Sequence, residues 1–153
     1  MNERLPLAYL VPLRVLFGLI LVAEGWGKLQ GGWLHGTPLQ ATLDGWVSAG
    51  KPYRFFMPVI DTARAHPKIF GALTTMGELA IGVSMLAGVV TRIGAALGAL
   101  MLWSFAFGAG QGLVPPGNAV VMGAVCVLFV FAPPGRVLGI DAKLRGRLPR
   151  WMV

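Results

Sequence analysis

Four apolar stretches of roughly membrane-spanning length fill most of this chain, and two of them carry charged residues, Arg14, Glu24 and Glu78. A charge at bilayer depth costs at least about 2.5 kcal/mol on insertion scales, so it turns to a bundle interior and finds a partner. The rest of the composition agrees. Of 153 residues, 56% are hydrophobic and 12% charged, and the mean hydropathy is +0.70. That is too little polar surface to cover a water-soluble globule of this size. The chain reads as all-α, an integral membrane four-helix bundle with short amphipathic interfacial helices between the first and second spans. The spans fall at about residues 7–28, 69–90, 93–112 and 117–132. An interfacial loop, 29–68, and a basic tail, 135–153, complete a single membrane domain over 1–153. The fourth stretch is short and ends at Pro133-Pro134, which cannot continue a helix.

The first stretch reads as a retained helix, because Arg14 interrupts it and Ala23-Glu24-Gly25-Trp26 is no cleavage site. Pro12 either opens that helix or kinks it. Four spans place Arg4, Arg92, Arg136, Lys143, Arg145, Arg147 and Arg150 on one side, in short segments; Lys28, Lys51, Arg54, Arg64 and Lys68 lie opposite, in or beside the long connection. The positive-inside rule weighs short segments more, so both termini are expected in the cytoplasm and the protein in the cytoplasmic (inner) membrane, multi-pass. The net charge of +7 then reads as a basic tail on anionic lipid. No nucleic-acid recognition module accompanies it.

The connection has its own pattern. Thr37-Pro38 resembles a helix cap followed by a first-turn proline, and Leu39, Leu43, Trp46 and Val47 follow at helical spacing. A second short helix places Phe55, Phe56, Val59, Ile60 and Ala63 on one side, with Pro58 limiting its length. Trp26, Trp33, Trp46 and Tyr53 suit a headgroup-level belt, or the wall of a pocket opening sideways into lipid.

At about 100° per residue, Glu24 lies about 80° and Lys28 about 40° from Arg14, beside Gly18 and Gly25. This polar, glycine-rich face is expected to turn inward. Antiparallel packing of the first two spans puts Glu78 at a depth between Arg14 and Glu24, which predicts an Arg14–Glu78 pair and a local Glu24–Lys28 pair. The first pair either locks two helices in register or handles a ligand or proton. His35 and His66 lack partners at metal spacing, so no metal site is expected, and the single cysteine, Cys126, reads as core. Gly94 and Gly98 form a GxxxG packing face, and Asn118 is placed to cap the last helix.

Leu13-Arg14-Val15 through Gly18, ending Glu24-Gly25-Trp26-Gly27-Lys28-Leu29, resembles the first helix of the DoxX family, which includes the DoxD-like small subunit of thiosulfate:quinone oxidoreductase. Gly77-Glu78-Leu79-Ala80-Ile81-Gly82, then Gly88-Val89-Val90-Thr91-Arg92, and finally Pro134-Gly135-Arg136 through Gly139-Ile140-Asp141 are similar to further family patterns. The resemblance implies a small membrane subunit of a quinone-linked redox system, holding a quinone-like ligand or anchoring a redox partner. If catalytic, it is a quinone-coupled oxidoreductase subunit. Glu78 with Arg14 would then orient or protonate a carbonyl head group and Glu24 would exchange protons with the interface. Lys28, Trp26, Trp33 and Trp46 would line the site. No covalent cofactor is implied; quinone is the candidate ligand. Membrane lipid and other membrane subunits, or further copies of the chain, are the expected partners. The rival reading is a non-catalytic accessory subunit of a larger membrane complex, with a small-solute carrier third.

Overall fold

The computed structural model describes residues 7–144, 147 and 149. Arg4, Arg145 and Arg150 of the predicted basic ends lie outside the described residues. The described chain is helical: α1 Val11–Gln30, α2 Thr37–Ser48, α3 Met57–Ala65, α4 Pro67–Ala87, α5 Thr91–Gly108, α6 Asn118–Phe131 and the short α7 Ile140–Lys143. Tight 3-10 turns at Trp33–His35, Arg54–Phe56 and Pro134–Arg136 join them.

Prolines set the starts. Pro12, Pro38, Pro58 and Pro67 occupy the first turns of α1 to α4, where a missing N–H costs nothing. Pro12 therefore opens α1, and Pro58 opens α3 instead of limiting it. Two expected caps are corrected: Thr37 and Asn118 are first helical residues, behind Gly36 and Gly117, and neither side chain caps its helix. At α6 the Oε1 of Gln111 accepts the Ala119 N–H at 2.9 Å, so a side chain from the preceding loop does the capping.

Glycines fix the helix register. α1 packs antiparallel on α4 so closely that a Cβ at Gly18 would lie 2.9 Å from the Gly82 carbonyl oxygen, and one at Gly25 2.9 Å from Leu79. This pairing sets Glu78 level with Trp26 and leaves Arg14 opposite Val90. Arg14 and Glu78 are thus separated by about 18 Å along the helix axis at 1.5 Å per residue. α4 meets α5 at Gly77 with Met101, Ile81 with Gly98 and Ser84 with Gly94, while Gly98 also seats Cys126 of α6.

Two cores result. One joins Phe17 and Leu21 of α1, Ile81 and Met85 of α4, and Cys126 and Phe129 of α6, with Phe17 and Phe129 edge to face at 6.1 Å. The other lies under the connecting helices, where Leu39 and Leu43 of α2 and Ile60 and Ala63 of α3 pack with Phe56 and Phe70. α4 and α5 are long and apolar enough to cross a membrane. α1 has the length but carries Arg14, Glu24 and Lys28, and α6 has 14 residues. Leucines stand exposed along the outside, among them Leu16, Leu19, Leu73 and Leu100.

Candidate functional site

Charged groups collect at two ends of the helix pack. At the first end the α4–α5 turn is clasped by the segment after α6. Asp141, fully buried, accepts hydrogen bonds from the Val90 N–H at 2.6 Å, the Thr91 N–H at 3.0 Å and the Thr91 hydroxyl at 2.5 Å. A carboxylate brought in from 50 residues away thus caps α5, where free N–H groups and the helix dipole favour a negative charge. Arg14 reaches the same place: its Nη1 donates to the Leu138 carbonyl oxygen at 2.6 Å, and the side chain is 4% exposed. Gly88, at φ +64°, ends α4 in the left-handed region and leaves room for that guanidinium. Arg92 Nε donates to the Val130 carbonyl oxygen at 2.8 Å, tying the start of α5 to the end of α6.

At the other end Lys28 joins two carboxylates. Its Nζ lies 2.8 Å from both oxygens of Glu78 and 3.3 Å from Glu24. The Glu78 side chain is 4% exposed and that of Glu24 63%, so the chain of charges runs from the surface inward. Lys28 also stands 5.5 Å from the Trp33 ring centre and 6.0 Å from that of Phe105, within cation–π range.

Phe105 is the wall between this cluster and a cavity of about 420 Å³. The cavity lies between α4 and α5 beneath α2 and α3. Trp46, Phe56, Ile60 and Phe70 cover it, and Gly77, Ile81 and Met101 form its floor. Trp46 meets Phe105 edge to face at 6.4 Å. Gly77 makes part of this space: a Cβ there would touch nothing closer than Met101 Sδ at 3.4 Å, unlike the tightly filled contacts at Gly18 and Gly82. Leu73, Leu97 and Leu100 line the cavity yet remain 63%, 54% and 69% exposed. The mouth therefore opens sideways, on the apolar outer face of α4 and α5. Among the described residues no charged side chain lines the cavity; its polar side-chain groups are the hydroxyls of Thr74 and Ser104 and the indole N–H of Trp46 in the roof.

The sequence-predicted residues thus divide. Glu78, Lys28 and Glu24 are brought together. Arg14 is not; the predicted Arg14–Glu78 pair is replaced by Lys28–Glu78, because the α1–α4 register is set by Gly18, Gly25 and Gly82. Trp46 lines the cavity, Trp33 stands against Lys28 outside it, and Trp26 is 54% exposed and away from it. Sequence reasoning passed over Thr74, Ser104 and Phe105, and singled out Gly77 only as part of the family-like motif around Glu78. Gly77, flanking an expected buried acid, was the available signal. His35 and His66 are exposed.

No curated protein and no solved structure matches the chain significantly. Residues 9–111 match the DoxX family model, a stretch that takes in the α1–α4 crossing, the Glu24–Lys28–Glu78 cluster and the whole cavity lining. The chain belongs to the DoxX family of small membrane proteins.

Proposed function

We propose that this protein takes a quinone-like, lipid-soluble ring from the bilayer into the cavity between α4 and α5, as a small membrane subunit of a quinone-linked redox system. One observation carries the reading: an apolar cavity of about 420 Å³ whose mouth is bordered by exposed leucines and whose roof is aromatic. That volume falls within the range of about 300–1,000 Å³ usual for small-molecule sites. A flat ring suits the faces and edges of Trp46, Phe56 and Phe105.

In this reading α1, α4, α5 and α6 form a four-helix bundle in the cytoplasmic membrane with both termini in the cytoplasm. α2 and α3 lie at the opposite interface as a roof. When bound, the quinone supplies the redox chemistry. The chain's own residues hold the ring and exclude water. Glu78 and Lys28 act as positioning residues: their pair fixes α1 on α4, and Lys28 steadies Phe105 from behind. Glu24, at the exposed end of the cluster, pairs with Lys28 from the outside. Arg14 belongs to the clasp at the far end and holds the Leu138 carbonyl, not the ligand.

The test is mild-detergent purification followed by extraction of the accompanying lipid. Wild-type protein is expected to carry close to stoichiometric quinone. Gly77→Phe, which fills the cavity floor, is expected to carry none. Equal quinone in both would refute the site, and stoichiometric partner proteins without quinone would make the chain an accessory subunit.

A further inference from the structure

Below the Trp46 indole of the roof, the cavity wall is apolar except at one level. The α4–α5 pairing of Gly77 with Met101 and Ser84 with Gly94 runs antiparallel, so Thr74 falls opposite Ser104, one turn from Gly77 toward the roof. The two hydroxyls differ in how they are used. Ser104 donates to the Leu100 carbonyl oxygen four residues back at 2.8 Å. Thr42, Thr62 and Thr75 do the same on their helices, at 2.8, 2.7 and 2.9 Å. This is the ordinary way for a helix hydroxyl in apolar surroundings to satisfy its donor. The Thr74 hydroxyl makes no hydrogen bond among the described residues, although Thr74 lines the cavity. Thr75, its buried neighbour, is bonded to Gly71.

Resting on the cavity reading above, we infer that Thr74 is the specificity-determining donor of this site, giving its hydroxyl proton to a carbonyl oxygen of the ligand. Ser104, whose proton is committed to Leu100, offers an acceptor lone pair across the cavity and so favours a ligand with a hydroxyl edge on that side. The ligand class follows. It is an uncharged ring bearing a carbonyl, such as a quinone, and not an anionic lipid headgroup. The cation against the wall, Lys28, lies behind Phe105 and is engaged by Glu78. A carboxylate or phosphate entering the cavity would be desolvated with no counter-charge, which apolar surroundings forbid. A hydrocarbon of the same outline would fit but would leave Thr74 unpaired, and sites built to hydrogen-bond a ligand group discriminate against analogues lacking it.

The experiment compares 2,3-dimethyl-1,4-naphthoquinone with 2,3-dimethylnaphthalene, which keeps the ring outline and lacks both carbonyls. Equilibrium dialysis of the purified protein in detergent gives total binding, and Gly77→Phe protein gives the non-cavity background. Thr74→Val, which removes the hydroxyl at nearly constant shape, is expected to weaken naphthoquinone binding about tenfold, the worth of one hydrogen bond. Dimethylnaphthalene binding is expected to stay within about twofold, and Thr74→Ser is expected to restore the naphthoquinone. An unchanged naphthoquinone affinity in Thr74→Val, or an equal loss for both ligands, would overturn the role of Thr74 while leaving the cavity as a ligand site. Absence of binding above the Gly77→Phe background for either ligand would overturn both.

Discussion

Replacing Asp141 by Ala is expected to loosen the clasp that holds the α4–α5 turn. The carboxylate is fully buried and takes three hydrogen bonds, two from the backbone of Val90 and Thr91 and one from the Thr91 hydroxyl. With alanine there, the Thr91 N–H and hydroxyl lose their partner in a buried site and the part-buried Val90 N–H loses its partner as well. Each buried donor left unpaired costs about 1–3 kcal/mol, so even the low end sums to about 3 kcal/mol. The loss of favourable charge at the start of α5 and near the buried Arg14 adds to it. For a chain of this length about 1 kcal/mol corresponds to roughly 2–4 °C, which gives a fall in Tm of about 6–12 °C. The assay is thermal unfolding followed by helical circular dichroism in one detergent at one protein concentration. Asp44→Ala is the control. Asp44 pairs with Arg64 at 2.7 Å on the surface, where such pairs contribute no more than about 1 kcal/mol. Asp141→Asn, which keeps the shape but turns one acceptor into a donor, is expected to fall between. Equal shifts for Asp141→Ala and Asp44→Ala would refute the clasp as a stabilising contact.

Other outcomes follow from the same geometry. Lys28→Met leaves the Glu78 carboxylate buried without its partner, and stability in detergent is expected to drop by about 3–5 kcal/mol, with much of it recovered in the Lys28→Met, Glu78→Gln double variant. Glu24→Gln, at the exposed end of the cluster, is expected to change stability by no more than about 1 kcal/mol in the same unfolding assay. A double-mutant cycle on Arg14 and Glu78 is expected to give no coupling beyond about 0.5 kcal/mol, because the register keeps them far apart; a larger coupling would restore a direct pair. Gly82→Val drives a side chain into Val22, where a Cβ already lies 2.7 Å away, and is expected to cost at least about 1–3 kcal/mol, whereas Gly27→Ala, with open space around it, is expected to be neutral or stabilising by circular dichroism.

How much of this was legible in the sequence depended on whether the information was local. The helix start at Pro38 was readable, since a proline acts on its own backbone, but whether Pro12 opened or kinked its helix and whether Pro58 opened or limited one needed the neighbouring turns, and the start at Pro67 lies two residues before the expected span. The inward face of α1 was readable from Arg14, Gly18, Gly25 and Lys28, whereas Glu24, expected on the same face, is exposed. The partner of that face was not readable. Matching the two spans end to end set Glu78 level with residue 19, but α1 continues to Gln30 and the Trp33–His35 turn folds back on Gly71, which slides α4 two turns along α1. A slide of that kind depends on which glycine seats which side chain, a property of two surfaces and not of either sequence pattern. The same limit hid the role of Asp141, whose family-like motif was visible while its contact with Thr91, 50 residues earlier, was not. A pocket opening sideways into lipid by the connecting-helix aromatics was expected; its lining on α4 and α5 was not legible, because Gly77 contributes to it by what is missing.

The most direct measurement of the central claim is photolabelling of the protein in lipid nanodiscs with an azido-quinone, followed by peptide mapping. The account predicts label concentrated on the cavity lining, in α2 around Leu43 and Trp46 and in α4 and α5 around Gly77 and Met101, and its loss when unlabelled quinone is added in excess. Label spread over the outer faces of α1 and α6, and indifferent to excess quinone, would contradict it.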